Sequence, residues 1–63
     1  MKHYEVHEIE DTLSSEPRYC MSYRSYRRAL KMYKRIDSEG QPARLLLVDK
    51  DGKPIDELMS NYD

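Results

Sequence analysis

The stretch SYRSYRRALKMYKRI, residues 22–36, constrains the fold more than any other part of the chain. At about 100° per residue, Ser22, Tyr26, Ala29, Leu30, Tyr33 and Ile36 fall on one side of a helix, with Tyr23 and Met32 at its borders. Arg24, Arg27, Arg28, Lys31, Lys34 and Arg35 fall within an arc of roughly 120° on the other side. A helix patterned this way must bury its apolar side against something else. With 63 residues in all, that partner has to come from a short remainder. One domain with one small core is therefore expected, with a net stability of only about 3–5 kcal/mol.

The remainder supplies strands. KHYEVHEI at 2–9 spaces Tyr4, Val6 and Ile9 among polar residues, which predicts a strand with a bulge near His7. EDTLSSEP at 10–17 holds turn residues and a proline and is read as a loop. RYCM at 18–21 is a second short strand or an extended lead-in. Ser22 or Ser25 is the N-cap of the helix, which should end near Ser38, with Gly40 just beyond it and Pro42 blocking continuation. ARLLLVD at 43–49 is a strong strand signal followed by the turn residues DKDG. Pro54 cannot donate to a ladder, which places the returning segment 53–57 at a sheet edge and leaves 58–63 as a C-terminal tail. The expected architecture is α+β: one amphipathic helix packed on an antiparallel sheet of three or four strands, in the order β-(β)-α-β-β.

Charge is distributed unevenly. The chain as a whole carries −1, yet residues 18–36 hold seven cations and no acid, while the rest holds four cations and twelve acids, a balance of −8. On the helix, like charges meet at 24/27, 24/28, 27/31, 28/31, 31/34 and 31/35, and at a few tenths of a kcal/mol each they cost roughly 1–3 kcal/mol before screening. A helix face that is merely solvated usually mixes its signs. Two readings follow: a solvated structural face, in a small homodimer of other function, or a binding surface of Arg24, Arg27, Arg28, Lys31, Lys34 and Arg35 with Tyr23 at its border. As a binding surface it suits an acidic protein partner, because arginine grips carboxylates in bidentate pairs. Nucleic-acid backbone is the alternative, weakened by a pI of about 6.1 where dedicated nucleic-acid domains exceed about 9. Membrane association is not expected: no apolar run nears the roughly 18 residues of a span, and the apolar side of the helix is rich in Tyr, Ser and Ala.

Leu45, Leu46, Leu47 and Val48 place apolar side chains on both faces of one strand, and one helix covers only one of them. The other is expected to be covered by loops, by Leu58, Met59 and Tyr62, or by a second subunit, which favours a homodimer. A single cysteine and the lack of a signal-peptide pattern point to the cytoplasm.

Residues with catalytic or metal-binding potential are few, and no enzyme, metal or cofactor is expected. Aligning Gly52 of DKDG with the glycine of a calcium loop would put Leu47 and Leu58 at its first and last ligands, so DKDG reads as a hairpin turn. His3 and His7, about 13 Å apart on one face of a strand, are read as surface histidines too distant to chelate together. Cys20 is read as a lone buried thiol rather than a nucleophile. The chain is accordingly expected to be a small regulatory module that binds rather than catalyses.

Overall fold

The computed structural model describes residues 1–9 and 17–61. Along the chain run β1 (His3–Ile9), β2 (Pro17–Tyr23), α1 (Tyr26–Ser38), β3 (Ala43–Val48) and β4 (Pro54–Asn61). The strands make one antiparallel sheet in the order β2-β1-β3-β4, and α1 packs on one of its faces. This is the α+β arrangement expected, with the fourth strand present.

The pleat decides which residues meet the helix. Val6 pairs with Leu45 and Tyr4 with Leu47, so these point to the same face. Val6, Ala43 and Leu45 meet Ala29, Tyr33 and Ile36 of α1 in one buried cluster, with Met21, Tyr23, Leu30, Met32 and Met59 packed around it. Tyr26, at the start of the helix, lays its ring against Tyr4 with centroids 5.5 Å apart.

Local signals close the helix and the β3–β4 hairpin as the residue types predict. Ser25 adopts an extended conformation and its Oγ accepts the N–H of Arg28, so it is the N-cap. Gly40, at φ +79°, ends the helix, its N–H donating to Asp37 O. In the DKDG hairpin, Asp49 Oδ1 accepts the N–H groups of Asp51 and Lys53 at 2.9 Å each, and Gly52 takes φ +83°. The irregularity in β1 lies between Glu8 and Ile9, close to the expected bulge.

Three expectations are corrected. Ser22 belongs to β2, which runs on to Tyr23, and α1 begins only at Tyr26. Arg24 therefore precedes the helix, and its 24/27 and 24/28 contacts are not helical pairs. The tail expected at 58–63 is strand as far as Asn61, because Met59 and Asn61 pair with Leu45 and Ala43. Pro54 does open an edge strand. Of the loop expected at 10–17, Pro17 opens β2 and the rest lies outside the described residues, as do residues 62 and 63.

The second face of β3 has a consequence for assembly. Leu46 and Val48, paired with Glu5 and His3, are only 7% and 1% exposed in the single chain. Their burial needs no second subunit, which removes the main reason for expecting a homodimer.

Leu45 is fully buried, and Leu45→Ala should cost about 2–5 kcal/mol, comparable to the entire stability of so small a domain. Asp49→Ala, which removes two acceptor contacts at an exposed turn, should cost about 1–2 kcal/mol. Urea unfolding followed by circular dichroism checks both: the first variant should be largely unfolded in water and the second still folded.

Candidate functional site

The cations of α1 and a hollow beside them form the first candidate. A groove of about 660 Å³ is lined by Tyr23, Arg28, Lys31, Met32, Lys34, Arg35 and Ser38. Tyr23 comes from the end of β2 and Met32 from the flank of the helix, so the groove has an apolar floor and a cationic rim. Tyr23 is held in place by packing on the core and by its hydroxyl, which points to Met21 Sδ at 3.7 Å. An adjoining hollow of about 540 Å³ brings Arg24 and Arg28 together with Tyr23, Ser22 and Ser25. The surface expected from the sequence is thus reordered: Arg28, Lys31, Lys34 and Arg35 share one rim with Tyr23, Arg24 joins it from the turn, and Arg27 lines neither hollow.

The electrostatics of this rim are uncompensated. Among the described residues, Arg24, Arg27, Arg28, Lys31 and Lys34 have no ion-pair partner, and Arg35 has one loose exposed contact to Glu39 at 3.8 Å. Surface pairs of that kind contribute little. The four like-charge pairs within α1, 27/31, 28/31, 31/34 and 31/35, all contain Lys31. A cation-rich hollow with an apolar base can hold an anionic group and exclude water from part of it.

The opposite face of the sheet holds a second cluster that the sequence reading did not assemble. His3, Glu5 and His7 alternate along β1 onto one face. Both histidine Nε2 atoms lie 2.9 Å from a Glu5 carboxylate oxygen, His3 at Oε2 and His7 at Oε1. Cys20, directly opposite His7 in β2, donates its thiol to Glu5 Oε1 at 3.4 Å. Arg44, opposite His7 on the other side, donates its Nε–H to His7 Nδ1 at 3.0 Å. That contact leaves the ring proton on Nε2, where it points at Glu5. His7 is therefore a buried network residue, not a surface histidine, and Cys20 is exposed rather than buried. The HxExH alternation was the available signal; the pairing of β1 with β2 that brings Cys20 to it is not written in either strand.

Burial pushes the Glu5 carboxyl up, but the hydrogen bonds from His7, His3 and Cys20 outweigh it and hold the group below its ordinary value. Burial, together with the hydrogen bond and negative charge of Glu5, pushes the Cys20 thiol up, opposed only by Arg44. Both shifts make Cys20 a poor nucleophile.

Glu5, His7 and Cys20 offer donor atoms within 4.8 Å of one another, an O, N, S set whose chemistry suits zinc. To bind it, His7 would have to release the Nε2 proton while Arg44 occupies Nδ1, and the thiol would have to ionise beside a carboxylate. The residues fit a proton-filled hydrogen-bond network better than a metal centre.

Comparison with protein-family models, with characterised proteins and with solved structures finds no match to this chain. No helix of the described residues is long and apolar enough to cross a membrane.

Two outcomes test the network. Because the folded Glu5 carboxyl is held below its unfolded value, it stabilises the fold above the ordinary carboxylate range, and that contribution is lost as pH falls through the folded value. The urea midpoints of the parent and Glu5→Gln should therefore differ at neutral pH and converge on acidification; in the same variant, alkylation of Cys20 by iodoacetamide should be faster than in the parent. Zinc titration by calorimetry should show no stoichiometric sub-micromolar binding, and such binding would mean that Arg44 yields its hold on His7.

Proposed function

We propose that this protein is a small non-catalytic regulatory module that recognises an acidic protein surface through the cationic rim of α1. The observation that carries the proposal is the grouping of Arg28, Lys31, Lys34 and Arg35 around one groove floored by Tyr23 and Met32, with no acid in its lining and, among the described residues, only the loose Arg35–Glu39 contact to offset the rim. Guanidinium forks meet carboxylates with two parallel hydrogen bonds, and the apolar floor rewards a partner that also buries carbon there. A cytoplasmic setting fits a chain with one cysteine. Nucleic-acid backbone is the second reading, supported by the same cations. It is disfavoured by Asp51, Asp56 and Glu57, all exposed, on a surface that would repel a long polyanion beyond the rim.

The test begins with a variant that folds. Lys31→Glu converts all four like-charge pairs of α1 into attractive ones, so thermal unfolding should show it more stable than the parent by roughly 1 kcal/mol. The variant combining Arg28→Glu, Lys31→Glu and Arg35→Glu should fold and lose a partner captured by the parent from the native host, whereas Arg27→Glu should keep it. Capture should survive nuclease treatment. Retention of every partner by the folded triple variant would reduce the rim to a solvated helix face, and loss of capture on nuclease treatment would move the assignment to nucleic acid.

A further inference from the structure

The sheet has two free edges, and they are treated differently. β4 opens with Pro54, shifts register against β3 at two places, and presents exposed Asp56 and Glu57. Proline, bulges and charge are the devices by which edge strands avoid pairing with other chains. β2 also opens with a proline, Pro17, and its register with β1 shifts once at that end, but residues 19–23 carry none of these devices: their register with β1 is unbroken, and no side chain of this run is charged. Among the described residues nothing pairs with its outer side. Alternate residues of such a strand direct N–H and C=O groups outward, a template for another strand.

The open edge borders the cationic groove. Tyr23 belongs to both, and a third hollow, of about 230 Å³, lies between Tyr19 and Met21 of β2 and Met32 and Arg35 of α1, with the acids Glu8 and Glu39 also lining it, so the uncompensated cations that face the edge are those of the groove beside Tyr23. We infer that β2 takes an extended acidic segment of a partner protein as a fifth strand. Lying about 4.8 Å from β2, that strand would turn every second side chain toward α1. Carboxylates at those positions reach Arg28, Lys31 and Arg35, and the intervening side chains lie on the face shared by Cys20 and Ser22. A second copy of this chain is a poor occupant. Pairing two β2 edges would bring two cationic rims together, and β4 is blunted against the role. The inference rests on the acidic-partner reading above and adds to it the backbone pairing.

The probe is a capped octapeptide of alternating Glu and Thr, with a Lys/Thr counterpart and two derivatives of the acidic peptide N-methylated on one or the other set of alternate residues. N-methylation removes the donors of one edge only. Amide exchange and chemical shifts of the parent protein are read by NMR. The acidic peptide should shift Arg28, Lys31 and Arg35 and slow exchange at alternate amides of 20–23; one N-methylated derivative should lose binding and the other keep it. If the acidic peptide shifts the helix while the β2 amides exchange unchanged and both derivatives bind, strand addition is wrong and the acidic-surface reading stands. Equal binding of the Lys/Thr peptide overturns both. No binding of the acidic peptide at millimolar concentration overturns strand addition, leaving the captured partner to judge the wider reading.

Discussion

The packing of α1 on the two central strands is the contact from which the remaining features follow. Ala29 and Ala43, both fully buried, let the helix approach the sheet closely, and Val6, Leu45, Tyr33 and Ile36 fill the space between them. With no Trp or Phe in the chain, Tyr33 is the largest side chain of this cluster. Once these residues are fixed, the rotation of the helix has no freedom left, and the cations of α1 are excluded from the interface with the central strands, several of them falling on the flank beside β2. A core this small has little stability to spare, so a charge arrangement that opposes folding around Lys31 stands out: a single acid at that position would relieve it. Local conflicts of this kind, tolerated in a marginal domain, are expected where a surface serves a purpose other than folding.

The two faces of the sheet solve different problems. The helix face is an ordinary apolar interface. On the other, β1 offers His3, Glu5 and His7 beside buried Leu46 and Val48. A carboxylate placed there unpartnered would be costly. Two imidazoles and a thiol donate to it, and Arg44 completes the chain through His7. Every donor comes from a strand neighbour or from the next residue on the same face, so the network also rewards the correct register between β1, β2 and β3.

Much of the architecture was legible because it depends on short-range rules. The 3.6-residue period read over 22–36, which the structure follows from Tyr26 on, Ser25 as one of two candidate caps, the glycine after the helix, the ARLLLV run and the DKDG turn each act over a few residues. What escaped depends on partners distant in sequence. Cys20 meets Glu5 and His7 only because β1 and β2 pair as they do, and neither strand alone states that register. The expected 13 Å spacing of the histidines follows from backbone rise; it omits side chains long enough to converge on the carboxylate between them. Arg24 was assigned to the helix because its angle fits the cationic arc, but Ser25 supplies the cap and strand pairing of Tyr23 with Tyr4 claims the residue before it. Leu58 and Met59 read as tail because Pro54 suggested a short edge strand, whereas β4 accommodates the proline at its first position and continues past two irregularities.

The cationic groove was visible as an arc of charge but not as a concavity, since its floor combines a strand residue, Tyr23, with a helix residue, Met32. Whether that concavity is where a partner sits is the central claim. Site-specific photo-crosslinking in the native host addresses it most directly, with the reactive side chain placed at position 32 in the groove and, separately, at position 27 outside it. Adducts specific to position 32, mapping by mass spectrometry to an Asp/Glu-rich protein segment, are the predicted result. Identical adducts from both positions, or adducts to nucleic acid at position 32, would contradict the account.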